Sequence, residues 1–388
     1  MKRRWRNARA VLATVVACVA LALPAVLAQA AAADAPLQRH ELQEPHMGTQ
    51  VRIVLYARDR ADATRAARAG FDRIAALDRT LSDYRADSEL MRLAARAGQG
   101  PVAIGQDLFR VLQAAQSLAA RSQGAFDVTS GALTRLWRSA RRLGEMPQPE
   151  RVAHARSLSS HRHLRLDADA RSATIDLRGL GLDVGGIAKG YAADEALAAI
   201  AATGVERALV AIGGDIAVSE APPDAAGWTV AVAPLQVPGA APATGQVLLL
   251  RHAAISTAGD AEQWLDAGGR RYSHLLDPRT GWPMQGRSST TVIARRGIDA
   301  DGLDTAAALL GPQAGARLVD AVPGAAMLMS RETPAHAVQV HASTRWPGGL
   351  SMPYGQHTPP RNEQPQASSR SSHDAAQDTV ARQSTPLP

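Results

Sequence analysis

No stretch of this chain limits its fold more tightly than Gly181–Ala196, GLDVGGIAKGYAADEA. Glycines at 181, 185, 186 and 190 surround an acid, Asp183, and a base, Lys189, and an alanine-rich, helix-favouring run follows at once. Glycine lets backbone amides approach a ligand closely, and a helix starting just beyond presents free N–H groups and a partial positive charge to an anion. Of the 43 lysines and arginines only Lys2 and Lys189 are lysine, so arginine serves wherever a surface cation will do. A single lysine in a glycine loop marks a place for a compact point charge rather than a planar fork. No Ser or Thr follows Lys189, which separates the loop from a Walker P-loop. Taken alone, the stretch reads equally well as a turn before a helix.

The first thirty residues read as a secretory signal peptide. Lys2, Arg3, Arg4, Arg6 and Arg9 precede an apolar run from Ala10 to Leu27 that ends in Ala28-Gln29-Ala30. This is the charged, apolar, small-x-small order of a cleaved leader, and Pro24 makes it a poor spanning helix. Val15-Val16-Ala17-Cys18 loosely fits a lipoprotein box, so an inner-membrane lipid anchor at Cys18 is the minority alternative to a free periplasmic protein. Cleavage at Ala30 leaves a nearly neutral chain without cysteine, which removes disulfides, thiolate chemistry and Cys-based metal sites. No basic tract with interleaved aromatics occurs, so nucleic-acid binding is not supported. The chain then divides into a linker (31–44), one large domain (45–345) and a disordered tail (346–388), whose Pro, Gln and Ser content cannot repay the entropy of ordering.

Within the domain, Thr49–Ala57 alternates apolar and polar residues as a strand does. Helical spacing marks 60–79, 88–97, 106–121, 190–202, 299–310 and 312–321. A polar turn between 166 and 173 predicts a hairpin, and strands are predicted at 208–212, 216–219, 228–233, 246–251, 253–257, 271–276, 289–294, 325–329 and 336–341. Helices against an extended antiparallel sheet make the class α+β.

Several tracts could carry chemistry. Asp301 and Thr305 are i and i+4 at a helix start, so a carboxylate and a hydroxyl share one face: a hard-cation pocket, or an acidic first turn favoured by the helix dipole. His274 and Asp277 flank two apolar residues before a Pro-Arg-Thr-Gly turn, where the histidine is a base, a phosphate contact or a packed ring. Ile255–Asp260 and Gly124–Thr129 also read as turn chemistry. Aromatics are scarce, yet Tyr84, Phe126, Tyr191 and Tyr272 fall in these polar, glycine-rich tracts, as a planar ligand would require.

The motifs resemble those of the ApbE family, the FAD:protein FMN transferases. DVGGIAKGYAADEA (183–196), ALVAIGGDIAV (208–218), AISTAGDAEQW (254–264), YSHLLDPRTGWPM (272–284) and ADGLDTAAALLG (300–311) occur in the family's order. LSDYRADSEL (81–90), GAFDVTSGALTRLW (124–137) and the Pro45–Thr49 entry to the first strand match its upstream segments. The resemblance implies a single α+β domain of the tunnelling-fold type and a periplasmic, Mg²⁺-dependent enzyme. Such enzymes split FAD, place FMN on a Ser or Thr of a target protein through a phosphoester and release AMP. By motif position, Met47, Tyr84, Ala125, Phe126, Asp127, Asp183, Lys189 and Leu275 would line the FAD site. The Gly186 carbonyl, Asp301, Thr305 and, directly or through water, Asp304 would hold Mg²⁺. His274 matches the family's histidine beside the scissile diphosphate, and either it or Asp301 would take the acceptor's proton.

Ala258 stands where the family often has serine, and a Pro/Ala/Gly-rich insert near 234–244 departs from it at the rim. The implied partner is an exported or membrane redox protein that accepts the flavin. Two other functions keep the same site: a Mg²⁺-dependent FAD pyrophosphatase, and a flavin-binding carrier without turnover.

Overall fold

The computed structural model describes residues 36–240, 244–260, 263–348 and 350–352. In chain order its strands are β1 (Gln38–His46), β2 (Thr49–Ala57), β3 (Val102–Ala103), β4 (Leu164–Asp167), β5 (Ser172–Ile175), β6 (Ala208–Ile212), β7 (Asp215–Val218), β8 (Trp228–Val232), β9 (Gly245–Leu250), β10 (Ala253–Gly259), β11 (Trp264–Ala267), β12 (Arg270–Asp277), β13 (Trp282–Gln285), β14 (Ser288–Ala294), β15 (Ala326–Glu332), β16 (Val338–Ala342) and β17 (Leu350–Met352). The helices are α1 (Arg60–Leu81), α2 (Glu89–Ala95), α3 (Gln106–Arg121), α4 (Gly131–Leu143), α5 (Pro149–Ser157), α6 (Ala188–Ala201), α7 (Gly297–Leu310) and α8 (Pro312–Asp320).

Eight strands form one antiparallel sheet in the order β1-β2-β6-β7-β10-β14-β15-β16. The period of two along β2 decides its layering: Val51, Ile53 and Leu55 point to one core and Val54 to another. On the first side α1, α6 and α7 pack their apolar stripes (Phe71, Ile74, Ile200 and Leu303 among them) against the sheet. On the second, β8 and β9 bring Trp228, Val230, Leu248 and Leu250 over Leu209, Ile255 and Ile293. A third, smaller core joins α4 and α5 to the β11–β12–β13 sheet through Leu133, Trp137, Val152, Leu265 and Tyr272. The class is α+β, as the element pattern predicts.

The boundaries need correction at both ends. The linker expected over 31–44 gives way at Gln38 to β1, an edge strand that pairs with β2 along its whole length. Among its side chains only Leu42 adds apolar packing to the main core, so an apolar pattern could not announce it. The tail expected from 346 is held at its start. The Trp346 indole donates to Gln246 at 2.9 Å, and Leu350–Met352 pair with β9. The leader over 1–30 and residues 353–388 lie outside the described residues. Among the described residues no helix is long and apolar enough to cross a membrane.

Helix α6 crosses α7 with almost no space between them. The amide of Gly190 donates to Asp301 at 2.9 Å, and the carboxylate of Asp194 accepts the first amides of α7, from Gly297 (2.6 Å) and Ile298 (3.1 Å). Those α7 amides have no partner within their own helix, so Asp194 caps it from a neighbour. This crossing joins the opening loop to Asp301.

Candidate active site

Three carboxylates from two elements meet beside Lys189. Asp215 opens β7, Asp301 and Asp304 lie on the inner face of α7, and each is no more than 3% exposed. Lys189, in the first turn of α6, pairs with Asp215. Burial works against the ammonium, but the charges of Asp215, Asp301 and Asp304 outweigh it and hold Lys189 well above the usual lysine range. Burial, reinforced by Asp215, pushes Asp301 up to about 7 despite Lys189 and the Gly190 amide. Burial and then Asp301 push Asp304 well above the carboxylate range.

Ser256 on β10 ties this cluster together, its hydroxyl lying 2.5 Å from Asp215 and 2.6 Å from Asp304. A hydroxyl carries one hydrogen, so the second contact needs a proton on one of the acids. The upward shift of Asp304 fits that requirement.

The glycine loop is held against the segment before α4. The amide of Asp183 donates to Val128 at 2.8 Å and that of Gly131 to Gly181 at 3.0 Å. Asp183 folds back to accept the Gly185 amide at 2.8 Å. A side chain on Gly186 would begin 3.2 Å from the Thr305 hydroxyl and 3.3 Å from the Phe126 ring, so this backbone lies directly against both motifs. Ala125 and Phe126 are buried beside it. Asp127 is fully engaged in local structure: it accepts from the Thr129 amide (2.8 Å), the Thr129 hydroxyl (2.6 Å) and the His161 amide (2.7 Å).

Met47 occupies the β1–β2 turn with φ of 51°, a left-handed conformation uncommon for a residue with a side chain. The adjoining Thr49 lies against Gly213, so this turn and the Gly213-Gly214-Asp215 turn share one end of the sheet. Leu275 is buried with Ala258 and Ala308. Ala258, the departure from the family pattern, faces that small core too.

The second half of the site comes from α4 and β12. Arg138 bridges Asp83 and Asp183 (3.5 Å to the latter), and its guanidinium lies 4.4 Å from the centre of the Tyr84 ring. Tyr84 is otherwise 78% exposed, which leaves its other face open. Burial, and then the charge of Asp183, raise Asp83. His274 on β12 has a buried Nδ1 without a hydrogen-bond partner. Burial, joined by the charge of Arg141, lowers His274 to about 4, so its ring is neutral at pH 7.

The predicted residues thus fall into two groups. Gly186, Lys189, Asp301, Asp304 and Thr305 converge, with Phe126 alongside; Tyr84 and Asp183 meet through Arg138. Sequence reading overlooked Arg138, Arg141, Asp215 and Ser256. Asp215 left a signal, a lone acid between two apolar strands that burial obliges to find a partner. Arg138 left none, being one of four arginines on α4.

The donors suit a hard divalent cation. Among the described residues no group of three His, Cys, Asp or Glu side chains is arranged to hold a metal, so the site would need the Gly186 carbonyl and the Thr305 hydroxyl beside Asp301. Oxygen donors of that kind match Mg²⁺, and three buried carboxylates facing one ammonium leave negative charge to balance.

A family model described as the ApbE family matches residues 47–329. An FAD:protein FMN transferase of Treponema pallidum is 31% identical over 305 residues, covering 75% of this chain and 84% of that protein. One from Vibrio cholerae is 29% identical over 295 residues, covering 75% and 87%. Among solved structures, the flavin transferase ApbE from Vibrio cholerae superposes with a TM-score of 0.69 at 28% identity, covering 80% of this chain and 98% of that one. The apo form of Pseudomonas stutzeri flavinyl transferase ApbE gives 0.68 at 28% identity, covering 80% and 96%.

Proposed function

The chain belongs to the ApbE family, and from that premise we propose that it is a Mg²⁺-dependent FAD:protein FMN transferase. It would move FMN from FAD to a Ser or Thr hydroxyl of an exported or membrane redox protein and release AMP. One observation carries the reading. The glycine loop and the Asp301–Thr305 motif, more than a hundred residues apart, meet through the Gly190 amide on Asp301 and through Gly186 against Thr305.

In the reaction the acceptor oxygen attacks the flavin-side phosphorus. A P–O bond forms there, and the bond to the bridging oxygen breaks, leaving with the adenylate as AMP. Phosphoryl transfer of this kind depends on charge neutralisation and in-line placement more than on covalent chemistry by the protein. Mg²⁺ held by the Gly186 carbonyl, Asp301 and Thr305 would supply the neutralisation, with Asp304 at hand directly or through water. Lys189 adds a fixed positive charge facing the same space. The Tyr84 ring, backed by Arg138, offers a flat surface for a ring of the dinucleotide.

His274 is the group we assign to take the acceptor's proton. Its ring is neutral at neutral pH and its Nδ1 is buried and free of partners, whereas Asp301 is directed at the Gly190 amide and the cation position. An imidazole held near 4 is a weak base, but a diphosphate beside it favours the charged form and strengthens it when substrate is bound. The leader expected over 1–30 would place the reaction in the periplasm, either free or through a lipid at Cys18.

The test is incubation with FAD and Mg²⁺, with and without an acceptor protein. Transfer requires AMP release that depends on the acceptor, together with a flavin-fluorescent acceptor band. Equal AMP release without acceptor would make the protein a pyrophosphatase, and tight FAD binding without AMP a carrier. Asp301→Ala should abolish Mg²⁺-dependent turnover; activity within about tenfold of wild type, or roughly 1.4 kcal/mol in barrier, would remove Asp301 from the metal site.

A further inference from the structure

Helix α4 carries a cation that the folded chain leaves without a counter-charge. Arg138 is satisfied by Asp83, Asp183 and the Tyr84 ring. Arg141, one turn further along, makes no ion pair and no side-chain hydrogen bond among the described residues. Two other partly buried arginines are treated differently: Arg73 has Asp107 and Glu195, and Arg271 has Asp260. The charge that most affects Arg141 is Arg138, of the same sign, and together with burial it lowers the Arg141 pKa. A guanidinium that is desolvated and faces a like charge is unfavourable until an anion joins it.

Its position shows where that anion would lie. Trp137 stacks on Tyr272 of β12, with ring centroids 6.2 Å apart. Arg141 follows Trp137 by four residues, on the same helix face one turn along, and His274 follows Tyr272 by two along the strand. The pairing of β12 with β13 shifts register between Tyr272 and Leu276, a local irregularity at the strand position of His274. Arg141 therefore reaches the His274 end of the site, and its charge is felt both there and at Tyr84. The charge of Lys189 also lowers His274, after burial and Arg141. Arg142 and Leu143 turn outward to solvent, so Arg141 is the member of that run aimed into the site.

We propose that Arg141 is a substrate-contacting residue that binds an oxygen of the FAD diphosphate on the His274 side, opposite the group held by Lys189 and the Asp301 metal position. The inference rests on the FMN-transferase reading. Arginine suits the task because its planar fork meets a phosphate through two hydrogen bonds at once. An oxygen held there is fixed relative to Nδ1 of His274, and negative charge developing on the diphosphate meets a cation already in place.

The experiment measures FAD, ADP and riboflavin affinities of the exported chain and of Arg141→Gln and Arg141→Lys, by flavin fluorescence quenching and, for ADP, by competition with FAD. Arg141→Gln should weaken FAD and ADP by about 10- to 100-fold, the span of a charge-assisted hydrogen bond, and leave riboflavin within about twofold. Arg141→Lys should recover part of the loss. The melting temperature of Arg141→Gln should equal or exceed that of wild type, because a like-charge contact is relieved; a structural arginine would lower it. Unchanged FAD affinity, or an equal loss for riboflavin, overturns the assignment. So does a raised KM for the acceptor protein at unchanged FAD affinity, which would give Arg141 to an acidic acceptor instead. A wild-type protein that does not bind FAD is a different failure, since it removes the transferase reading itself.

Discussion

Gly190→Ala tests whether the crossing of α6 and α7 sets the geometry of Asp301. A methyl built on Gly190 lies 2.5 Å from the Gly297 carbonyl carbon, closer still to its oxygen, and 2.7 Å from Cβ of Asp301. These neighbours are backbone and the root of a buried side chain, so none can swing aside. Forcing the helices apart costs about 1–3 kcal/mol as overpacking. Losing the 2.9 Å bond from the Gly190 amide to the Asp301 carboxylate costs about 1.5–3 kcal/mol. The better helix propensity of alanine returns about 1 kcal/mol. The net of about 1.5–5 kcal/mol lowers the melting temperature by roughly 2–8 °C. Gly302→Ala on the facing helix α7 is the control, because its methyl crowds only the tip of Leu118, at 2.7 Å, with Ile187 at ordinary contact distance. That variant should stay within about 1 kcal/mol of wild type, since a flexible side chain can give way. Thermal unfolding followed by circular dichroism, with and without Mg²⁺, reads both variants. A Gly190→Ala protein that melts with wild type, or two glycine variants that fall together, would refute the reasoning.

Two further outcomes follow from titrating groups. With His274 near 4 in the free protein, its limb in kcat/KM should fall near pH 4 rather than at the ordinary histidine pKa of about 6.5, apart from the limb near 7 that belongs to Asp301. An inflection near pH 6.5 that vanishes in His274→Gln would show the ring to be solvated rather than buried. Asp194 is raised by burial to about 6, partly offset by the amides of Gly297 and Ile298. Its folded pKa exceeds the ordinary aspartate value of about 3.9, so the ionised form is the disfavoured one and its penalty is fully present above pH 6. Relative to Asp194→Asn, wild type should gain stability as pH falls from 6 toward 4, measured as the difference in melting temperature across that window. A difference that stays constant with pH would contradict the burial argument.

The main sheet and the helices on its first face were legible because their periodicity is strong. β2, α1, α3 and α6 lie within two residues of their expected bounds. The parts that escaped have weak periods or short lengths. Edge strand β1 buries little apolar surface, β11 and β13 are four residues each, and α4 carries four arginines that obscure its apolar face. At the site, the Gly181–Ala196 loop and the Asp301–Thr305 face were visible as separate tracts, each with an ordinary turn or cap as a rival reading. Their meeting was not visible, because it depends on a helix crossing between residues over a hundred positions apart. Asp127 shows the converse. Its motif position suggested a ligand contact, while three hydrogen bonds engage its carboxylate in holding the loop.

The core of Trp137, Tyr272 and Trp282 is separate from the one beneath Asp301. His274 and Arg141 stand on the elements of the first core and Asp301 and Lys189 on those of the second, with Leu275, Ala258 and Ala308 packed between them. The spacing between the two ends of the site is therefore set by how these cores meet, and no single loop sets it. Substitutions at Trp137, Tyr272 or Trp282, though they fall inside the motif tracts, would then alter that spacing without replacing any group assigned to the chemistry.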